Sequence, residues 1–381
     1  MQTIYFDNNA TTPIAPEVRE AMAPYLDRYF GNPASGHGFG EAAKAGLDEA
    51  RRQVASLVNC PPGRVIFTSG GTEGNNTAIL SAVFADPHKK HIISSQVEHA
   101  SVKVPLEFLA SRGYEVEFLP VDRDGGLDLD RLKSAIRPDT ALVSLMGANN
   151  ETGVLWAIEE IGSICREQGA LFHCDAIQLA GKKNIDLAAL PVDYLTLAGH
   201  KLHGPKGVGA LCVQRTAPVS PLVMGSDQEG GRRAGTENVP GIVGFGKACA
   251  LALDGDEAHG RIQALRDRLE QGILARIPDA RVNGAGQPRL VNTINVSFKH
   301  VSSAGLIQDL DLQGIAVSAH SACQTGDLDP SHVLRAMQVD ESYLHGTLRI
   351  SLSRYSSEAE VERVLTLLPR LVATARQGFA L

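Results

Sequence analysis

The chain has 381 residues, of which 43% are hydrophobic, and it carries a formal net charge of −7 at pH 7. This length allows a large core divided over two or three domains. A net negative charge argues against binding to nucleic acid or to an anionic membrane surface. No apolar run reaches membrane-spanning length, and the first residues lack the basic and apolar parts of a signal peptide. We therefore expect a cytoplasmic protein with no membrane partner and no direct nucleic-acid partner.

Seven short apolar runs before residue 214 predict β-strands. They are residues 65–67, 92–93, 116–119, 141–145, 170–172, 194–197 and 210–213. Most of these runs are separated by stretches long enough for one helix, which is typical of crossover units between parallel strands. We therefore predict an α/β fold with a mainly parallel seven-stranded sheet that carries helices on both faces.

The pattern changes near residue 250. Apolar residues spaced by three or four over 262–273 predict an amphipathic helix, and 292–296 and 347–350 have the composition of strands. Ser357 and Glu360 have the spacing of a capping box at the start of a last helix. We predict a large domain over 15–255 and a smaller α+β domain over 256–381, completed by residues 1–14.

Six cysteines occur, and no two of them form a C-x-x-C pair. This spacing predicts neither a zinc site nor a disulfide framework, so we expect no metal. Cysteines 165, 174, 212 and 249 lie in apolar surroundings and are expected in the core. Cys323 differs because it lies in a small, polar loop where a thiol stays accessible.

Four segments carry residues suited to chemistry. Lys201 follows an apolar strand in a connection rich in glycine, and residues 68–76 form a glycine-rich helix start that suits a phosphate. Asp175 ends another strand, and His99 follows a third. Taken singly, each feature also has an ordinary structural explanation. The lysine would be solvated, the glycine-rich segment would be a simple turn, the aspartate would close a turn, and the histidine would be structural. Jointly they describe a pyridoxal phosphate site, in which the lysine bonds to the aldehyde and the aspartate keeps the pyridine nitrogen protonated.

Four motifs link the chain to a known family. They are GHK at 199–201 with GPKG at 204–207, ANNETG at 148–153, RAGTEN at 233–238 and SAC at 321–323. On these motifs the chain resembles the cysteine desulfurases of nitrogenase and iron–sulfur cluster assembly. That group belongs to the class V aminotransferases, among the fold-type I pyridoxal phosphate enzymes. The resemblance covers nearly the whole chain.

The resemblance implies where a cofactor would lie. Lys201 would hold it, Asp175 would face its pyridine nitrogen, and His99 would stack on its ring. The other contacts would come from Gly71, Thr72 and His200 at the phosphate, Asn150 and Gln178 at the phenolic oxygen, and Thr236 at the phosphate of the neighbouring subunit. The last contact would make the protein a homodimer.

The resemblance also implies conversion of L-cysteine to L-alanine. Arg349 would bind the substrate carboxylate, a task suited to a planar two-pronged donor, with Asn8 and Asn150 beside it. Cys323 would take up the sulfur as a persulfide and pass it to an acceptor such as an iron–sulfur scaffold. His99 would act as an acid or base in these steps.

Two other functions fit parts of the sequence. A selenocysteine lyase or a cysteine C–S lyase would use the same cofactor, although Cys323 favours sulfur transfer. A non-catalytic scaffold or regulator of a sulfur-assembly complex is suggested by departures from the family pattern at Ala198, Gly230 and His320. The reactive lysine, aspartate and cysteine argue against that function.

Overall fold

The computed structural model describes residues 3–253, 255–319 and 330–379. Its strands are β1 (Ile4–Tyr5), β2 (Val65–Thr68), β3 (His91–Ser95), β4 (Glu115–Leu119), β5 (Thr140–Met146), β6 (Leu171–Asp175), β7 (Tyr194–Ala198), β8 (Gly209–Val213), β9 (Ala280–Val282), β10 (Thr293–Phe298), β11 (Ile315–Ala316) and β12 (Thr347–Ser351). Each of the seven runs predicted as strands before residue 214 overlaps one of β2 to β8.

Helices separate most of these strands. They are α1 (Pro16–Met22), α2 (Pro24–Asp27), α3 (Gly38–Leu57), α4 (Gly71–Ala85), α5 (Ala100–Ala110), α6 (Leu129–Ala135), α7 (Ile158–Glu167), α8 (Val239–Leu253), α9 (Asp256–Arg276), α10 (Ser303–Leu312), α11 (His332–Ala336), α12 (Glu341–Leu344) and α13 (Glu358–Phe379). The helix predicted over 262–273 is part of α9.

Within the described ranges, the large sheet has seven strands in the order β2-β8-β7-β6-β5-β3-β4. Strand β8 runs antiparallel to both of its neighbours, and the other pairs in the sheet are parallel. The prediction of a mainly parallel seven-stranded sheet is therefore confirmed.

Both faces of this sheet are buried. Leu195 and Leu197 of β7 join one apolar cluster, together with Phe245 of α8, whereas Tyr194 joins a second cluster with Ile79 of α4. Successive side chains of a strand point to opposite faces, so a run that is apolar at every position needs helices on both sides. This arrangement explains why the buried strands lack alternation in the sequence.

A separate apolar core forms in the last third of the chain. Strands β9, β10 and β12 make an antiparallel sheet in the order β12-β10-β9, and α9 and α13 contribute buried residues to the same core. Ile4 and Phe6 of the amino-terminal segment lie in this core, and β1 pairs with β11. The α+β character predicted here is confirmed, and the division at residues 15 and 255 stays a prediction.

The capping box predicted for the last helix is present. Ser357 N donates to Glu360 Oε2 at 2.7 Å, and Glu360 N donates to Ser357 Oγ at 3.3 Å. These two bonds satisfy backbone donors that a helix start otherwise leaves open. Helix α13 begins at Glu358, directly after this pair.

The cysteines of the described residues are free thiols. The four that were expected in the core are buried there, and Cys60 is half-buried. None of the described helices is long and apolar enough to cross a membrane.

Candidate active site

A cavity of about 150 Å³ lies where β5, β6 and β7 end. Its lining comes from parts of the chain far apart in sequence, namely Asn9, Ala10, Gly71, Thr72, His99, Met146, Ala148, Asn150, Asp175, Ile177, Gln178, Ala198, His200, Lys201 and Arg349. Ligands of open α/β sheets bind at this carboxyl-terminal edge of the strands. Among the predicted site residues that the structure describes, all except Asn8 and Thr236 line this cavity.

Lys201 ends a short 3₁₀ helix that directly follows β7. Its Nζ donates to the carbonyl oxygen of Ala10 at 2.9 Å and also to that of Asn9. Thr12 secures the same turn, because its Oγ1 donates to the carbonyl oxygen of His200 at 2.9 Å. The amino-terminal turn therefore fixes the lysine at the cavity.

Asp175 is the last residue of β6, and its carboxylate is buried. Ile177 N donates to its Oδ1 at 3.0 Å, and Asn75 Nδ2 donates to its Oδ2 at 2.8 Å. Burial raises the pKa of Asp175, and these hydrogen bonds together with the charges of His99 and Lys201 oppose that rise. A carboxylate held in this way suits a cationic or protonated partner in the cavity.

The first turn of α4 lines the cavity through Gly71 and Thr72. The first N–H groups of a helix have no partner within it and attract anions. A Cβ atom at position 71 would come within 2.1 Å of Ile177 Cδ1, so a larger residue there would displace the end of that side chain. The imidazole of His200 lines the same cavity, and burial together with two nearby lysines lowers its pKa to about 4. Backbone N–H groups, a hydroxyl and a neutral imidazole make a donor set for a phosphate group.

His99 immediately precedes α5 and is held in a neutral form. Ser101 N donates to its Nδ1 at 3.1 Å, so the uncharged ring carries its proton on Nε2. Burial and the charge of Lys201 lower the pKa of His99, and the charge of Asp175 opposes them. Asn75 Nδ2 donates to Ser101 Oγ at 2.8 Å as well as to Asp175, which ties the imidazole and the carboxylate into one network.

Arg349 reaches the cavity from β12. Its Nη2 donates to Asp7 Oδ1 at 2.8 Å, and its Nη1 donates to the carbonyl oxygen of Asn150 at 3.3 Å. Its Nε is buried and has no hydrogen-bond partner among the described residues. An open donor on a fixed, buried guanidinium is suited to binding a carboxylate.

These groups together suit one kind of molecule. The amine of Lys201 can bond to an aldehyde, Asp175 can face a basic ring nitrogen, and the start of α4 can receive a phosphate. The imidazole of His99 lies at the same cavity as these groups. The donor set therefore fits a phosphorylated aromatic aldehyde that contains a basic nitrogen.

Comparison with known proteins decides the family. Residues 4–364 match the family model for aminotransferase class V. Cysteine desulfurase 2 of Trichormus variabilis is 50% identical over 376 residues, which are 99% of this chain and 94% of that protein. The chain belongs to the cysteine desulfurases of the class V aminotransferase family.

Two solved structures share the fold of this chain. A NifS-like protein has a TM-score of 0.92 and 36% identity, and the match covers 98% of this chain and all of the other. The structure of SspA in complex with cysteine has a TM-score of 0.82 and 34% identity, with 93% of this chain and 100% of the other covered. The class V fold predicted from the sequence is therefore confirmed.

Two residues to which the resemblance assigns roles lie in other cavities. Asn8 lines a neighbouring cavity that shares Lys201 with the first, and its Nδ2 donates to the carbonyl oxygen of Ser351 at 2.8 Å. Thr236 lines a third cavity of about 180 Å³, together with Arg233. The roles of both residues stay predictions.

The cysteine loop lies outside the described residues. This applies to the SAC motif, and so to the predicted sulfur acceptor Cys323, as well as to His320. The predicted role of Cys323 as the sulfur acceptor at the cavity therefore stays a prediction.

The sequence alone did not single out Asn75 or Asp7, although each holds a predicted site residue. Asn75 lies four residues after Gly71, which places both on one face of α4, and that spacing was an available signal. Asp7 lies in the recognised polar turn at the amino terminus. Nothing in its surroundings indicated a partner 342 positions away.

Proposed function

We propose that this protein is a pyridoxal phosphate-dependent cysteine desulfurase that converts L-cysteine to L-alanine and stores the sulfur as a persulfide on Cys323. The observation that carries the proposal is the convergence of Lys201, Asp175 and the start of α4 on one cavity. The cysteine desulfurase family to which the chain belongs supports the same reaction.

Pyridoxal phosphate matches the donor set of the cavity. Gly71, Thr72 and His200 would hold its phosphate, Asp175 its pyridine nitrogen, and Lys201 its aldehyde carbon. When bound, the cofactor withdraws electrons from the bonds to the substrate's Cα. Its use by this chain is supported by the family, whose members are pyridoxal phosphate enzymes.

The residues of the cavity have complementary tasks toward cysteine. Arg349 binds the carboxylate of the substrate through its open donor. The amine of Lys201 would take the proton from the substrate's Cα and return a proton to carbon. His99, neutral and with its proton on Nε2, is a second group able to give or accept a proton at the substrate.

Cys323 completes the reaction as the sulfur acceptor. Its thiolate attacks the substrate sulfur, so that an S–S bond forms while the C–S bond breaks. The substrate carbon keeps the electron pair of that bond and takes up a proton, which gives alanine. The atoms balance without an external reductant, because the thiol of Cys323 and cysteine together become a persulfide and alanine.

A second copy of the chain and a sulfur-accepting protein are the expected partners. Phe30 and Phe39 are exposed by 68% and 57%, and their ring centroids lie 5.3 Å apart. Adjacent exposed aromatic rings mark a surface suited to association, which supports a homodimer. In that dimer Thr236 would reach the phosphate held by the other subunit. The acceptor, for example an iron–sulfur scaffold, and the cytoplasmic location stay predictions.

Product analysis tests this proposal. The purified protein with its cofactor is incubated with cysteine, with and without reductant, and alanine, sulfide and protein-bound sulfur are quantified. We expect alanine in both samples, protein-bound sulfur without reductant, and sulfide with it. Sulfide release without protein-bound sulfur would indicate a C–S lyase, and faster turnover of selenocysteine would indicate a selenocysteine lyase. A protein that forms no alanine would indicate a scaffold.

A further inference from the structure

A second lysine is connected to the candidate site through Gln178. Lys182 Nζ donates to Gln178 Oε1 at 2.8 Å. Gln178 Nε2 in turn donates to the carbonyl oxygen of Asn9 at 2.9 Å, and the same oxygen accepts from Lys201. The side-chain amide of Gln178 is therefore held at both ends.

This arrangement determines which atoms of the amide remain available. While Lys182 is protonated, its ammonium group only donates, so it requires the Oε1 atom of the amide to face it. The NH₂ group of Gln178 then has two hydrogens, of which one is directed at Asn9 and the other is available. Gln178 lines the cavity, whereas Lys182 is not among the residues that line it.

Lys182 lies in a cavity of about 50 Å³ that adjoins the site and shares Lys201 with it. Its surroundings are rich in groups that are or can become cationic: Lys201, Arg349, His203, His259 and Arg354. Burial, then the charges of Lys201 and Arg349, lower the pKa of Lys182 to about 7. Lys182 therefore donates to Gln178 although its surroundings disfavour the charged form of its amine.

We propose that Lys182 is a positioning residue, which orients the Gln178 amide so that its NH₂ group faces the ring oxygen of the bound cofactor. The inference rests on the proposed function and adds a residue to it. An N–H donor stabilises the anionic form of that oxygen, whereas a flipped amide would turn a carbonyl oxygen toward it. Without Lys182, the carbonyl oxygen of Asn9 would be the one remaining partner, among the described contacts of the amide, that selects this orientation.

The test measures the pH midpoint of the visible absorbance of the bound cofactor, not only turnover. Lys182→Met removes the donor and the charge, and Lys182→Arg keeps a cationic donor. Lys183→Met is the matched control, because Lys183 is the exposed neighbour. We expect the midpoint of K182M to rise by about one pH unit, a tenfold change in proton affinity. K182R and K183M should keep the midpoint of the wild type.

A second background separates orientation from charge alone. In Gln178→Leu, adding K182M should shift the midpoint much less than it does in the wild type. The proposal is overturned if K182M keeps the wild-type midpoint, or if its shift is undiminished in Q178L. Thermal unfolding checks that each variant is folded, and Lys182→Ala replaces K182M if the latter is not. A wild-type protein without a cofactor band or alanine formation would instead refute the proposed function.

Discussion

Arg349 Nη2 donates a hydrogen bond to Asp7 Oδ1 at 2.8 Å, which joins β12 to the amino-terminal turn inside the candidate site. The side chain of Arg349 is only 1% exposed, and its Nε has no partner among the described residues. A buried donor without a partner costs about 1–3 kcal/mol. Asp7 therefore fixes the guanidinium at the cavity, where we expect it to bind the carboxylate of the substrate.

The first prediction concerns this guanidinium. Arg349→Lys should raise the KM for cysteine about tenfold to a hundredfold, with a smaller change in kcat, because lysine lacks the planar two-pronged donor. Steady-state kinetics of alanine formation measure both constants. Arg289→Lys is the matched control, since Arg289 forms a two-pronged pair with Glu270 outside the cavity. An unchanged KM in R349K, or the same increase in R289K, would contradict the assignment.

The second prediction concerns the carboxylate at the end of β6. Asp175→Asn should retain the fold but lower kcat by about a hundredfold or more, because an amide does not keep a ring nitrogen protonated. Asp193→Asn is the control. The carboxylate of Asp193 is also shielded from solvent and accepts from Phe172 N at 2.8 Å, but it lies outside the cavity, and burial raises its pKa too. Equal losses of activity in the two variants would point to a general structural effect.

The strands and the glycine-rich helix start were predictable because local patterns determine them. The run 210–213 is apolar at every position, and the glycine pair at 70–71 follows a strand where a helix begins. The contacts that hold the site were not predictable in this way. Asn75 and Asp175 are 100 positions apart, and Asp7 and Arg349 are 342 apart, so only the folded topology brings each pair together. A single amide or carboxylate in a turn leaves no periodic signal that names its partner.

The third prediction concerns the sulfur acceptor. Cys323→Ala should bind cysteine and change the absorbance of the cofactor, yet form alanine at a rate lower by roughly a hundredfold or more. Spectra and alanine assays of the same samples give both results. Cys60→Ala, at a half-buried cysteine, should behave like the wild type. Undiminished alanine and persulfide formation by C323A would remove Cys323 from the mechanism.

The fourth prediction concerns stability at acidic pH. His173 is buried in β6, with Nδ1 2.8 Å from Ser144 Oγ and Nε2 3.0 Å from Thr196 Oγ1, and burial lowers its pKa from 6.5 to about 3. Below pH 6.5 the imidazole of His173 becomes protonated in the unfolded chain, whereas in the folded chain it stays neutral down to about pH 3. The contribution of His173 to stability is therefore complete above pH 6.5 and is lost as the pH falls.

Denaturant unfolding between pH 7 and pH 4 measures this loss. One such group makes the free energy of unfolding fall by about 1.4 kcal/mol per pH unit inside the window. His173→Gln should reduce the slope by that amount, whatever its effect at neutral pH. His88→Gln, on the exposed surface, is the control and should leave the slope unchanged. Parallel profiles for wild type and H173Q would show that His173 is not buried in its neutral form.

The central claim is that Lys201, among several nearby lysines, carries the cofactor. Borohydride reduction of the purified protein with pyridoxal phosphate fixes the cofactor to the amine that holds it, and peptide mass mapping then locates the added mass. We predict a single pyridoxyl group on the peptide that contains Lys201, and its loss in Lys201→Ala. A label on Lys182 or Lys206, or no lysine-bound label at all, would contradict the account.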